Sequence, residues 1–107
     1  MASKINDEKL DFLFQAILTL ETAEDCYDFF EDLCTVSELQ EMARRIQAAR
    51  MLRSNAVYTD IASQTGLSTA TISRVNRCLK YGHGGYNKAL DQLEASRHPG
   101  LSDRHRS

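Results

Sequence analysis

The residues able to do chemistry cluster in Tyr58-Thr-Asp-Ile-Ala-Ser-Gln-Thr-Gly-Leu-Ser-Thr-Ala-Thr-Ile-Ser-Arg-Val-Asn-Arg77. Arg74, Arg77 and Lys80 recur at three-residue steps, and long cations at that spacing suit a row of phosphate oxygens. Ahead of them, Thr69, Ala70, Thr71 and Ser73 offer small hydroxyl and methyl groups. Such groups approach base edges, directly or through water, without blocking entry to a major groove. The chemistry implied is duplex recognition rather than bond making. The set read as DNA-facing is Thr59, Ser68, Thr69, Ala70, Thr71, Ser73, Arg74, Arg77 and Lys80.

Other reactive residue types are scattered. Cys26, Cys34 and Cys78 form no CxxC pattern and have no disulfide framework's spacing. They read as reduced thiols packed like small hydrophobes, and no metal site is expected. His83 lies in a glycine-rich loop without phosphate-loop spacing, so hinge or turn glycines are the better reading. Asp25, Asp28, Glu31 and Asp32 read as a solvated helix face. No nucleophile–base pair can be assembled, so no catalytic residue and no enzymatic activity are expected.

The recognition residues need a scaffold, and the same run supplies it as a helix–turn–helix over about 58–79. Thr59 is read as the cap of a short helix with Ile61, Ala62 and Thr65 inward. Gly66 ends that helix in the left-handed conformation a tight turn needs, and Leu67 anchors the turn. Ser68 caps a second helix with Ile72 and Val75 inward, followed by Leu79. A plain helical hairpin would not need alanine, glycine and β-branched residues at these offsets.

Upstream, Leu10, Leu13, Phe14 and Ile17 form a helical stripe capped by Asn6 or Asp7. Phe12, Ala16, Leu18 and Leu20 spread apolar surface onto its other faces, which calls for cover from more than one side. Thr22 opens a helix with Tyr27, Phe30 and Leu33 on one side. Thr35-Val-Ser-Glu38 is a capping box opening a long helix with Leu39, Met42, Ala43, Ile46 and Ala49 on one face. That helix ends at about Arg53, before Ser54-Asn55. Residues 97–107, including His98 and His105, have no periodicity and read as a mobile tail.

Composition bounds the class. A chain of 107 residues with 42% hydrophobic and 26% charged residues is one globular domain, read as 1–96. Its one proline, Pro99, leaves the first 98 residues free of helix breakers, so the fold class is all-α. No apolar run approaches the roughly eighteen residues of a membrane span, and residues 1–8 lack a signal peptide's pattern. A cytoplasmic protein with no membrane partner is expected. The net charge of −2 speaks against nucleic acid until it is divided. Residues 1–39 hold ten acidic and two basic residues, whereas 40–80 hold seven basic and two acidic. The positive charge sits where a duplex would lie.

The strings Thr35-Val-Ser-Glu-Leu-Gln-Glu-Met-Ala-Arg-Arg-Ile46 and Tyr58–Lys80 resemble the Trp repressor superfamily. Ile72-Ser-Arg-Val-Asn-Arg-Cys-Leu-Lys-Tyr-Gly-His-Gly-Gly-Tyr86 is most similar to its YerC/YecD branch. The resemblance covers roughly residues 5–95 and implies about six helices intertwined into a homodimer. It also implies a last helix from Tyr86 to about Ser96, with Leu90 and Leu93 inward. The arginines that flank the corepressor in the Trp repressor map onto Arg45 and Arg74, with Val75 and Cys78 lining the same place. Val75 stands where that repressor has glycine and would intrude on a flat indole, so tryptophan does not fit. A different small effector, or none, does, and no other cofactor is implied. Arg45 otherwise pairs with a nearby carboxylate or helix terminus.

The sequence thus reads as a dimeric, sequence-specific regulator of transcription, a repressor on a pseudo-palindromic operator in double-stranded DNA. Its alternatives are a helical protein-interaction module of the transcription machinery and a metabolite sensor of the same fold.

Overall fold

The computed structural model describes residues 7–96; Asn6 as a cap and the tail at 97–107 lie outside them. Six helices and no strand occur among the described residues: α1 Glu8–Ile17, α2 Ala23–Leu33, α3 Val36–Arg53, α4 Tyr58–Thr65, α5 Thr69–Tyr81 and α6 Gly85–Ser96. They fall into two compact units, divided between Cys34 and Thr35.

The first unit holds α1 and α2. Asp7 caps α1 by accepting from the Lys9 amide, and Thr22 caps α2 by accepting from the Asp25 amide. Neither helix buries a large side chain; Ala23 alone is buried. Phe12 is 73% exposed and Leu18 82%, and Phe14, Tyr27 and Leu33 are exposed as well. The excess of apolar surface expected on α1 is present and extends to α2.

In the second unit, α3 is the strut against which α4, α5 and α6 pack. Its start is the expected capping box, with the Thr35 hydroxyl on the Glu38 amide and the Glu38 carboxylate on the Thr35 amide. Its end comes at Arg53, where Asn55 turns the chain with a φ of 65°. The inward face of α3 differs from the expected stripe. Ala48 and Ala49 are fully buried, Leu39 is half-buried, and Met42, Ala43 and Ile46 are exposed. The reason is geometric, since α4–α6 close on the second half of α3 only.

Two apolar clusters result. Ala48 meets Ile61, Leu67 and Ile72, while Ala49 meets Val75 and Leu90. Adjacent alanines thus face two different clusters, and α5 supplies one side chain to each. Two further details depart from expectation. Gly85, not Tyr86, begins α6, and Leu93 is exposed while Leu90 is buried.

The turn between α4 and α5 needs Gly66, whose φ is 77° with open space around the missing side chain. Strain alone therefore sets the cost of Gly66→Ala. Urea unfolding should show a loss of about 1–2 kcal/mol, whereas Ile61→Ala, which empties a fully buried site, should lose about 2–5 kcal/mol.

Candidate nucleic-acid interface

The α5 helix is set by its own first residues. Ser68 Oγ accepts from the Thr71 amide and donates to Thr71 Oγ1, both at 3.1 Å. Before it, buried Thr65 donates to the Ile61 carbonyl at 2.7 Å and accepts from the Leu67 amide at 3.2 Å. The turn's polar groups are thereby satisfied, and Leu67 is buried beneath them. At the far end, Gly82 approaches the chain so closely that a Cβ would stand 2.5 Å from the Cys78 carbonyl oxygen.

With Ile72 and Val75 pointing inward, the opposite side of α5 is fixed. Thr69, Ala70, Ser73, Arg74, Arg77 and Lys80 are all exposed, and Thr71 is half-buried with its hydroxyl engaged in the cap. The helix carries three cations and no acid. None of those cations has a carboxylate partner among the described residues. Tyr81 extends the same surface at 82% exposed, an aromatic the sequence reading passed over. Its place on the 70, 74, 77, 81 repeat was the available signal.

The other basic residues of 40–80 are not equally free. Arg44 and Arg45 lie 3.6 and 3.4 Å from the two oxygens of Glu41. The Glu-to-Arg spacings of three and four residues already announced those pairs. Arg50 donates to Gln47, and Arg53 is held by α6 through Asn87, Asp91 and Glu94. Arg50 keeps its charge, since Gln47 is neutral, and Glu41 offsets one of two arginines. Among the described residues, the cations of 40–80 without a carboxylate partner are Arg50 and the three of α5.

Thr59 is exposed in the first turn of α4 but does not cap it. The cap position is Val57, which offers no side-chain hydrogen bond, so the helix starts two residues earlier than Thr59 requires. The residues aligned with a corepressor site are dispersed in character. Arg45 is paired with Glu41, Arg74 is exposed, and Val75, 2% exposed, packs against Ala49 and Leu90. Cys78 lines an open hollow of about 390 Å³ with Ile46, Gly82, His83, Gly85 and Tyr86. Cys26 is exposed and Cys34 and Cys78 are half-buried, so none of the three is the core hydrophobe expected. Among the described residues no three metal-ligating side chains come together, and no helix is long and apolar enough to cross a membrane.

Known proteins resemble this chain in sequence and in fold. The sequence profile of the family described as Trp repressor protein matches residues 8–94. A Bacillus subtilis (strain 168) relative, the uncharacterized protein YerC, is 52% identical over 91 residues, spanning 85% of this chain and 88% of that one. The crystal structure of a TrpR-like protein from Eubacterium eligens superposes with a TM-score of 0.82 at 48% identity, covering 85% of this chain and 94% of the other. That of a Trp repressor candidate from Staphylococcus aureus gives 0.79 at 48%, covering 83% and 89%.

The cap carries a measurable share of this geometry. Ser68→Ala should cost about 1 kcal/mol in urea unfolding, and Ser68→Asp, which keeps the acceptor, should recover most of it. Equal losses in both would show that the hydroxyl's donation to Thr71 matters more than the cap.

Proposed function

Because the chain belongs to the Trp repressor protein family, we propose that it is a DNA-binding transcriptional regulator whose α5 enters the major groove. The observation that carries the reading is the outer side of α5, with small side chains near its start, unpaired cations farther along and no acid. Thr69, Ala70 and Ser73 let the helix backbone come close to base edges, where hydroxyls and methyls discriminate. Arg74, Arg77 and Lys80 then meet phosphates flanking the groove and supply the salt-dependent part of the affinity. Ser68 holds the helix start, and Thr59 is exposed in the first turn of α4.

A second copy completes the reader. The exposed Phe12, Phe14 and Leu18 are more apolar surface than a lone chain leaves in water, and burying it between copies makes a two-fold dimer. Two α5 helices then address half-sites about one helical turn apart on a pseudo-palindrome. A dimer bound where polymerase must bind would block it, and repression is the sign of regulation proposed here. The protein acts where bacterial DNA is, in the cytoplasm, and does no chemistry on its partner.

In vitro selection from a random duplex pool is the direct test. Enrichment of an inverted repeat is expected, and failure of the folded protein to enrich any sequence would falsify the proposal. Arg77→Ala should weaken binding to every duplex alike and lower the slope of log K against log salt by about one phosphate's worth. Relaxed preference at one base pair would instead make Arg77 a base reader.

The apolar hollow beside Cys78 favours one second reading, a metabolite sensor of the same fold. A thermal-shift screen against amino acids and small aromatic acids tests it. A hit that also changes DNA affinity supports the sensor, and a screen without hits sets it aside.

A further inference from the structure

Three helices meet at one side chain, Asn87, the third residue of α6. Its Nδ2 donates to the Leu79 carbonyl at 3.0 Å. Arg53, the last residue of α3, donates from Nη1 to the Asn87 carbonyl at 3.1 Å and to Oδ1 at 3.4 Å. Nη2 of the same guanidinium reaches Asp91 Oδ1 at 2.5 Å and lies 3.8 Å from Glu94. The amide can face only one way in this arrangement. A guanidinium offers donors alone, so Oδ1 turns to Arg53 and the NH₂ group is left for Leu79. Asn87 is half-buried and the Arg53 side chain is 24% exposed, so water competes weakly for these partners.

Leu79 lies in the last turn of α5, where carbonyls have run out of intrahelical amides. Elsewhere α5 is held by apolar contacts at Ile72 and Val75, which resist withdrawal but have no preferred direction. The bond from Asn87 does have a direction, and it fixes the end of α5 that carries Arg77 and Lys80. We propose that Asn87, braced by Arg53, is a positioning residue for duplex recognition, setting the pitch of α5 so that Arg74, Arg77 and Lys80 reach phosphates together. This rests on the reading of α5 as the DNA-facing helix. Asn87 itself touches no DNA.

Two charge-conserving variants of the 107-residue chain test it. Asn87→Ala removes the donor to Leu79. Arg53→Lys keeps the charge but loses the fork that spans Asn87 and Asp91, and it serves if Asn87→Ala does not fold. Each is titrated by fluorescence anisotropy against a short labelled duplex of mixed sequence over a series of salt concentrations. Affinity at low salt should fall about tenfold, and the slope of log K against log salt should shrink by one to two phosphate contacts at about 0.9 each. A loss of stability alone leaves that slope unchanged in the folded protein, so an unchanged slope and affinity overturn the proposal. Amide hydrogen exchange is measured alongside and should quicken in the last turn of α5 while α4 keeps its protection. Exchange that quickens evenly over 35–96 makes Asn87 a general brace and likewise overturns it. If the unaltered protein binds no duplex at any salt, the DNA-facing reading itself fails, and the exchange pattern still decides whether Asn87 fixes the end of α5.

Discussion

The second unit depends on how closely α5 approaches α3 at Ala48 and Ala49. Both alanines are fully buried, one under Ile72 and the other under Val75. In a close-packed interior a single added methylene at either place must displace a neighbour. On α5 the neighbours in question are Ile72 and Val75, which lie behind the helix's exposed cations. The position of the cationic surface is thus set from beneath, by the two smallest side chains the strut could carry. The hydrogen bonds at Ser68, Thr65 and Asn87 fix the ends of the helix that these alanines admit.

Electrostatics follows from the same packing. Because Ile72 and Val75 point inward, Arg74 and Arg77 must point outward, and nothing acidic on α5 competes for them. Exposed pairs such as Arg44 and Arg45 with Glu41 contribute only a few tenths of a kcal/mol each to stability. The one carboxylate offsets one of the two positive charges, so the trio presents a single net positive charge to a polyanion. Arg53 is offset more completely, since its guanidinium is engaged by α6. Counting charges along the chain overstates the basic surface, and counting unpaired ones locates it.

Much of this was legible in the residues. Caps announce themselves over three or four positions, so Thr22, Thr35 with Glu38, Ser68 and Gly66 were read at their places. The inward and outward sides of α5 follow from the spacing of Ile72 and Val75. Illegible features have physical causes as well. Ala48 carries no amphipathic signal, and on the front half of α3 the apolar Met42, Ala43 and Ile46 are exposed. Val57 precedes α4 without a capping side chain, so Thr59 drew the assignment by type alone. Arg53 and Asn87 are thirty-four residues apart, beyond the reach of any local pattern.

The bare apolar surface of α1 and α2 bears on how the chain comes to be folded. Helices of ten and eleven residues are marginal in water without tertiary cover. The unit from Thr35 onward has its own two clusters and closes by contacts within one chain. On the dimer reading, the first unit gains its core only by meeting another molecule. Such a chain keeps two clocks: one part folds at a rate indifferent to dilution, and the other waits on collision, so its melting point rises with concentration.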